Sequence, residues 1–398
     1  MTHSHRLANR ALAVGAVMAP TMRFLNFMFE HESRPGLANF AVGNPQEMPL
    51  ADYVSALERA VPPRNKEWYA YKVSEAQSQE TVSASLRAWR GVDFAPEDIL
   101  MTNGAVSALY VALWTLSEPG DEVIFNLPPW FFYEAQITAS GAQPVKVRVH
   151  PETFDLDLNA IEAALTPRTR AIIINSPNNP TGRIYPPETL RALGDLLSDA
   201  SARHGQPIYL ISDEAYSRIV FDGREYPSPT SYYPYSLLVY TYGKTLLTPG
   251  QRLGFIALPP TMPERETLRQ TLMTAQVVTG FSFPNALLQH ALRELDSLSI
   301  DIGKLQARRD RMVSALREMG YEVHSPEGTF YLFPRAPIED DWAFADVLLR
   351  HNILCLPGTV TEMPGYFRLS ITANDEMVEQ ALPGFERAMN EAVRQGAR

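Results

Sequence analysis

The chain has 398 residues, of which 45% are apolar and 20% charged, and its formal net charge is −10. This composition is typical of a globular protein with a large core and excludes a disordered chain. The negative charge, without any basic run, argues against nucleic acid and membrane partners, and the single cysteine, Cys355, excludes an internal disulfide and favours a reducing, cytoplasmic location.

The first feature along the chain is an apolar run, residues 11–19, which follows Arg6 and Arg10. It is a weak match to a secretory signal peptide, because Pro20 follows at once and the remaining sequence is typical of a cytoplasmic protein. No stretch approaches the roughly 20 apolar residues that a membrane-spanning helix needs. We predict that residues 1–45 form an N-terminal segment that contributes to a smaller domain.

Apolar, β-rich runs then alternate with helical patterns from about residue 98 to 260. The run at 171–174 is wholly apolar, as expected for a strand covered on both faces. Strands separated by helices predict an α/β fold with a mainly parallel sheet. The predicted strands are 98–101, 122–125, 145–149, 171–174, 208–211, 237–240 and 254–258.

The pattern becomes helical after Pro259-Pro260 and stays so through Arg317. Three further strands, at 330–333, 354–356 and 367–370, alternate with helices near the C-terminus. This part predicts a smaller α+β domain. We place the large domain at residues 46–285 and the small C-terminal domain at 286–398, with a soft boundary because no linker composition marks it.

The tripeptide Gly243-Lys244-Thr245 resembles part of a P-loop, but a P-loop also needs a glycine five residues before Gly243. That position is Leu238, inside an apolar strand, so a P-loop is excluded. The sequence contains no Gly-x-Gly for a dinucleotide fingerprint and no His-Glu-x-x-His for a zinc hydrolase. We predict no metal site.

Polar residues follow three of the predicted strands directly. Because the carboxyl ends of parallel strands lie at one edge of a sheet, these residues are expected to converge. A carboxylate, a phenol, an amide and a lysine suit a cofactor with a basic ring nitrogen, a phenolate oxygen and an aldehyde, as pyridoxal phosphate has. The four side chains are those of Asn179, Asp213, Tyr216 and Lys244.

Several motifs, in this order and spacing, resemble the class I/II aminotransferases of fold type I, over nearly the whole chain. The resemblance implies a pyridoxal-phosphate-binding large domain with a mainly parallel mixed sheet, and a smaller α+β domain. The motifs are Val42-Gly43-Asn44-Pro45, Thr102-Asn103-Gly104-Ala105, Pro128-Pro129-Trp130, Asn175 to Gly182, Asp213-Glu214-Ala215-Tyr216, Lys244 to Gly254, Gly328-Thr329-Phe330-Tyr331 and Phe367-Arg368-Leu369-Ser370.

The resemblance implies the roles of the groups nearest the reaction. Lys244 would form a Schiff base with the cofactor and then move a proton. Asp213 would pair with the pyridine nitrogen, while Tyr216 and Asn179 would bond the ring oxygen. Arg368 would bind the substrate carboxylate through two parallel hydrogen bonds, assisted by Asn179 and the backbone at Gly43. Each residue also has an alternative, structural role. Lys244 could be a solvated surface lysine, Asp213 a helix cap, Tyr216 a packing residue, and Arg368 part of a structural ion pair.

The resemblance also implies how the rest of the cofactor is held. Arg252 would bind the phosphate with the Thr241 hydroxyl and with the backbone N–H groups of Ala105 and Val106, at the N-terminus of a helix that starts near Gly104. Trp130 would stack on the ring, although core packing is an alternative for it. Tyr71 would reach the phosphate of the partner subunit in a homodimer. This match is the least secure, because Ala76 stands where the family usually has glycine.

The implied reaction is ping-pong transfer of an amino group from an L-amino acid to a 2-oxo acid. The family often has serine at Gly243, a departure expected to affect only packing. Val106 replaces a lysine that contacts the distal carboxylate in one branch of aspartate aminotransferases, so dedicated aspartate chemistry is not expected. Four aromatic residues line either an apolar substrate pocket or, as we favour, the core: Phe24, Phe27, Trp68 and Tyr69.

Two other kinds of function stay open at this point. A β-lyase, a decarboxylase or an oxygen-using oxidase would share the same carbanion chemistry, and small contacts would decide between them. A non-catalytic regulator of the same fold is less favoured, since such regulators usually carry an added DNA-binding domain and the net charge here is negative.

Overall fold

Strands and helices alternate along residues 7–396, the part of the chain that the computed structural model describes. The strands in this part are β1 Ala38–Asn39, β2 Ile99–Thr102, β3 Glu122–Leu127, β4 Gln143–Arg148, β5 Thr169–Asn175, β6 Tyr209–Asp213, β7 Ser236–Thr241, β8 Gly254–Ala257, β9 Tyr331–Leu332, β10 Ile353–Leu354, β11 Leu356–Pro357 and β12 Phe367–Ser370. The helices in this part are α1 Asn9–Val17, α2 Ala19–His31, α3 Ala51–Ala60, α4 Ala76–Arg90, α5 Ala105–Leu116, α6 Tyr133–Ser140, α7 Leu158–Ala164, α8 Pro187–His204, α9 Tyr242–Thr245, α10 Arg265–Val278, α11 Ala286–Leu295, α12 Ile302–Glu318, α13 Asp341–Arg350 and α14 Asp375–Gly396.

The seven strands predicted between residues 98 and 260 form one sheet, in the order β2-β8-β7-β6-β5-β3-β4. Strands β4, β3, β5, β6 and β7 are parallel to one another, and only β8 runs antiparallel to its neighbours β7 and β2. The prediction of an α/β fold with a mainly parallel sheet is therefore confirmed. The carboxyl ends of β5, β6 and β7 lie side by side at one edge of this sheet.

Side-chain alternation explains why the central strands are apolar throughout. In β7, Leu237 and Val239 face a core shared with α5 and α10, whereas Leu238 and Tyr240 face the core beneath α4 and α11. Successive residues of a strand point to opposite faces. Because helices cover both faces, every residue of β7 is buried.

The C-terminal part contains the antiparallel sheet β11-β12-β9. The predicted strand 354–356 is divided: β10 pairs in parallel with β1, and β11 pairs with β12. The pairing of β1 with β10 attaches the N-terminal segment to this part of the fold. Helices α12 and α13 pack against α14 over a core that includes Phe40, Phe330 and Phe385.

The domain boundaries at residues 45 and 285 stay predictions. Helix α11 begins just after the second boundary, but it packs against α3 and α4. It also places Leu288 and Leu292 in the core beneath the large sheet. This packing favours a boundary after α11 rather than before it.

The apolar N-terminal run lies in α1 and at the start of α2, which meet at a bend of 57°. Arg6, part of the weak signal-peptide pattern, lies outside the described residues. Helix α1 packs against α6. Within residues 7–396 no single helix meets the length and hydropathy needed to cross a membrane, and the bent pair of α1 and α2 meets them only together.

Candidate active site

A cavity of about 110 Å³ lies at the carboxyl ends of β5, β6 and β7. The N-terminus of α5 and the loop after α9 close it. Nine of the predicted site residues line this cavity: Ala105, Val106, Trp130, Asn179, Asp213, Tyr216, Thr241, Lys244 and Arg252. The convergence expected from a parallel sheet is therefore present.

Lys244 lies on α9, the short helix that follows β7 directly. Its Nζ atom is 5.5 Å from the centre of the Tyr216 ring and 5.7 Å from that of Phe330. A β-carbon at Gly243 would lie 3.2 Å from the Cα of Pro249, so the backbone here leaves little room for a side chain. Among the described residues, Lys244 has no ion-pair partner, so its amine is available for chemistry.

Asp213 is the last residue of β6 and is buried. The hydroxyl of Tyr133 donates to its Oδ2 at 2.5 Å, and the Ala215 N–H donates to its Oδ1 at 3.2 Å. Burial raises the Asp213 pKa to about 6, against the opposing effects of these two bonds and of the Lys244 charge. Sequence reasoning missed Tyr133, because nothing near it in the chain marks a contact with a residue 80 positions away.

Two asparagines connect the strand ends to the far side of the cavity. The Asn175 side chain donates to the Asp213 carbonyl at 2.9 Å and accepts from the Asn179 N–H at 2.7 Å. The Asn179 Oδ1 accepts from Nη1 of Arg368 at 2.9 Å. Sequence reasoning also missed Asn175, which orients Asn179 and the end of β6.

Arg368 projects from β12, and the residue is only 2% exposed. Its Nη2 donates to the Ala41 carbonyl at 3.0 Å, and its Nε has no hydrogen-bond partner among residues 7–396. Nor does any carboxylate of the described chain lie within 4 Å of it. A buried guanidinium without a carboxylate is unfavourable, which points to an anionic ligand. This backbone contact of Arg368 falls at Ala41. The contact of the Gly43 backbone with the substrate carboxylate stays a prediction.

The opposite end of the cavity is built to receive an anion. Gly104 precedes α5 with φ 82°, and a β-carbon there would lie 2.5 Å from Nη2 of Arg252 and 3.3 Å from Oγ1 of Thr241. No side chain caps α5, so its first N–H groups, at Ala105 and Val106, are open. Arg252 donates to the Pro249 carbonyl at 2.8 Å, and burial lowers its pKa. A phosphate fits this helix N-terminus.

The charges of the site are unbalanced in the described chain. Two cationic side chains, Lys244 and Arg252, line the cavity, and Asp213 is the one carboxylate that lines it with them. Arg368 lies outside this lining and reaches it through its hydrogen bond to Asn179. A phosphate at Arg252 and a carboxylate at Arg368 would each give an anionic partner to a guanidinium that has no carboxylate partner among the described residues. With an acid for a ring nitrogen, a phenol for a ring oxygen and an amine for an aldehyde, these residues fit pyridoxal phosphate.

A larger groove of about 1000 Å³ lies away from these residues, beside Trp89 and Tyr226. Size alone does not make it a stronger candidate, because its guanidinium groups already have carboxylate partners. These ion pairs are Arg90 with Glu214, Arg218 with Asp296 at 2.8 Å, and Arg224 with Glu327 at 3.3 Å.

The aromatic predictions have different outcomes. Trp130 lines the cavity, with its ring 5.4 Å from that of Tyr133. Tyr71 is 86% exposed and contacts Phe283 instead of the cavity of its own subunit. Phe24 is buried in a core, Phe27 packs against Trp342, Trp68 stacks on His290 and Tyr69 is exposed. None of these last four lines the cavity.

Comparison with known proteins agrees with the chemistry of the site. A model of the family "aminotransferase class I and II" matches residues 35–385. A probable aspartate/prephenate aminotransferase of Thermus aquaticus is 29% identical over 362 residues, which cover 89% of this chain and 91% of that protein. Two solved structures are similar as well. An aminotransferase from Eubacterium rectale has a TM-score of 0.88 at 27% identity, over 97% of this chain and 99% of that one.

The second solved structure is the aspartate aminotransferase of Thermus thermophilus with maleate, with a TM-score of 0.82 at 27% identity, over 97% of this chain and 100% of that one. The family match spans most of the sequence, and the fold similarity spans nearly all of it. The chain therefore belongs to the class I and II aminotransferases and is a pyridoxal-phosphate-dependent enzyme that transfers amino groups.

Proposed function

We propose that the strand-end cavity is where this enzyme transfers an amino group from an L-amino acid to a 2-oxo acid by a ping-pong mechanism. The observation that carries the proposal is unpaired positive charge: Lys244 and Arg252 line the cavity without an ion-pair partner among residues 7–396, and Arg368, bonded to Asn179, is buried without a carboxylate partner in the same residues. Two anionic groups, a cofactor phosphate and a substrate carboxylate, account for this arrangement.

Each residue contributes a separate interaction. When bound, pyridoxal phosphate supplies an aldehyde that reacts with amines and a ring that accepts electrons. Arg252, Thr241 and the first N–H groups of α5 would hold the phosphate end. Asp213, held by Tyr133, would pair with the ring nitrogen, and Tyr216 and Asn179 would bond the ring oxygen. Trp130 would stack on the ring.

Lys244 provides both the covalent link and the proton transfer. Its Nζ enters the cavity without a competing ion pair, so it is free to react with the aldehyde. As a free amine, the same nitrogen would accept a proton from the substrate α-carbon. Arg368 and Asn179 hold the substrate carboxylate, which orients the α-carbon toward Lys244.

The cavity supports an amino donor without a second carboxylate. Val106 lines it where the aspartate-specific branch has a lysine, and the cations that line it, Lys244 and Arg252, already have other roles. A distal carboxylate would lie there without a positive partner in this subunit, which is unfavourable. Uncharged side chains are therefore the proposed substrate class.

A half-reaction on the purified enzyme tests the proposed function. One equivalent of an amino acid is expected to convert the aldehyde form of the bound cofactor to its amine form and to release the 2-oxo acid, detected by mass spectrometry. A screen of uncharged and acidic amino acids would identify the donor. Release of pyruvate with ammonia, of carbon dioxide or of peroxide would instead indicate a lyase, a decarboxylase or an oxidase.

The raised pKa of Asp213 predicts how pH changes the stability of the cofactor-free protein. The folded-state pKa of about 6 lies above the unfolded value. The native state therefore binds more protons, and stability falls as pH rises from about 4 to about 6. An asparagine cannot ionise, so Asp213→Asn avoids this loss of stability. Urea unfolding should show the variant to be more stable than the native protein by about 2–3 kcal/mol at pH 8 and about as stable as the native protein at pH 4. An equal difference at both pH values would contradict the assignment.

We also propose that the enzyme is a homodimer and that its location is cytoplasmic. The single, buried Cys355 supports a reducing compartment. Large exposed apolar side chains support a subunit interface, since burial against a partner would remove them from water. They include Phe29 at 59% exposure, Met48 at 90%, Tyr71 at 86% and Val278 at 61%.

Sedimentation velocity is expected to give twice the mass of one chain, and Tyr71→Phe is expected to keep that mass while weakening binding of the cofactor phosphate. One lost hydrogen bond to a charged group corresponds to about tenfold in affinity. Tyr69→Phe is the matched control, because the Tyr69 hydroxyl donates to the Val61 carbonyl of its own subunit. Equal cofactor affinity in the two variants would remove Tyr71 from the site.

A further inference from the structure

Two buried phenols, Tyr216 and Tyr331, lie between the cofactor cavity and Arg368. The Tyr216 hydroxyl donates to that of Tyr331 across 3.5 Å. The guanidinium carbon of Arg368 is 4.1 Å from the centre of the Tyr331 ring. Tyr331 therefore contacts the proposed substrate-binding arginine on one side and a residue that lines the cofactor cavity on the other.

The backbone determines where the Tyr331 hydroxyl lies. Tyr331 is in β9, which pairs with β12, so its position relative to Arg368 is set by the sheet. A β-carbon at Gly43 would lie 2.7 Å from the Tyr331 hydroxyl and 2.6 Å from the Phe330 ring. Any side chain at position 43 would displace the phenol, so this glycine also leaves room for the Tyr331 hydroxyl.

The charges around the two phenols favour Tyr331 as the stronger acid of the pair. The charged groups that act on them are Arg368, Lys244 and Asp213. Burial raises the pKa of the Tyr331 hydroxyl, but the positive charges of Arg368 and Lys244 and the bond from Tyr216 outweigh it and lower the pKa below its usual value. Burial raises the pKa of Tyr216.

A phenol has one hydroxyl hydrogen, so Tyr216 can donate either to Tyr331 or into the cavity at one time. When Tyr216 donates into the cavity, its oxygen becomes free to accept. The bond to Tyr216 is the only hydrogen bond of the Tyr331 hydroxyl within the described part of the chain, and a buried hydroxyl without a partner is unfavourable. We propose that Tyr331 is a positioning residue: when Tyr216 donates into the cavity, the Tyr331 hydroxyl donates to the Tyr216 oxygen and transmits to it whether a carboxylate is bound at Arg368.

This inference rests on the proposed roles of the cavity and of Arg368. Hydrogen bonds in series polarise one another, so a bond from Tyr331 makes Tyr216 a better donor to a negatively charged oxygen in the cavity. A carboxylate on Arg368 cancels the nearby positive charge and weakens this effect. The two ends of the active site are coupled in this way.

The test is a pH titration of the visible absorbance of the cofactor-loaded enzyme. The cofactor would supply an oxygen whose negative charge is stabilised by the Tyr216 hydroxyl, and a weaker donor at Tyr216 would make that charge harder to form. Tyr331→Phe is therefore expected to raise the midpoint by about half to one pH unit, the shift that one ordinary hydrogen bond produces. With 3-phenylpropionate as a carboxylate probe, the native midpoint should rise, and that of the variant should rise less.

Tyr321→Phe is the matched control. It removes an equally buried hydroxyl of the same core, one that donates to the Phe385 carbonyl at 2.9 Å. A native-like midpoint in Tyr331→Phe, or the same shift in both variants, would overturn the inference. So would an equal response of the native and Tyr331→Phe enzymes to the probe. A native protein that binds no cofactor would contradict the proposed function as well as this inference. A native protein that binds the cofactor and converts amino acids, but gives one of the contrary titration results above, would contradict only the coupling through Tyr331.

Discussion

Replacing Lys244 with alanine is expected to abolish the covalent link to the cofactor and to reduce amino-group transfer by roughly 10⁴-fold, the scale of a lost proton-transfer residue. The proposed phosphate contacts at Arg252 and Thr241 would remain, so the variant should still bind the cofactor. What should disappear is the absorbance of the linked form and its reaction with amino acids. Stopped-flow spectroscopy of the half-reaction measures both changes.

Lys66→Ala is the control for this experiment, since the Lys66 side chain is 91% exposed and lies outside the cavity. It should retain native turnover. Native turnover in Lys244→Ala would remove this lysine from the mechanism and leave the reacting amine to be found elsewhere in the chain.

Replacing Arg368 with glutamine is expected to lower kcat/KM by about 10² to 10³-fold, since it removes the proposed positive partner of the substrate carboxylate. Most of the loss should appear in KM for the amino donor. The stability of the free enzyme should change little, because no carboxylate of the described chain would be left unpaired. Steady-state kinetics and urea unfolding of the same preparation separate the two effects.

Arg309→Gln is the control, and it is expected to lower stability without changing kcat/KM, the opposite of Arg368→Gln. The Arg309 side chain is 4% exposed, but it pairs with Asp222 at 2.6 Å and donates to the Pro326 carbonyl at 2.9 Å. Its loss should lower stability by roughly 1–3 kcal/mol and leave kcat/KM unchanged. If Arg368→Gln behaves like Arg309→Gln, Arg368 has a structural role.

The local pattern of apolar and polar residues was sufficient to predict the strands of the large sheet and many of the site residues. Each apolar run between residues 98 and 260 became a strand of the seven-stranded sheet, because burial on both faces selects uninterrupted apolar residues. Parallel strands place their carboxyl ends together, so Asn179, Asp213, Tyr216 and Lys244 line one cavity. The motif spacing that resembles the aminotransferases led to Arg252 and Arg368 as well.

Contacts between distant segments were not predictable in the same way. Tyr133 bonds Asp213 across 80 positions, and Tyr331 meets Tyr216 across 115. Neither tyrosine stands apart from its neighbours in composition or periodicity. The assignment of α11 to the large sheet likewise follows from its packing against α3 and α4, which a helical pattern alone does not specify.

The sequence by itself determined the fold class, the order of the strands along the chain and the chemical types gathered at the strand ends. These follow from local periodicity and from the rule that parallel strands end at one edge. The tertiary structure alone decided that Arg368 is buried without a carboxylate, that burial raises the Asp213 pKa and that Tyr331 joins Arg368 to Tyr216. Burial and charge depend on distances between segments that only the folded chain brings together.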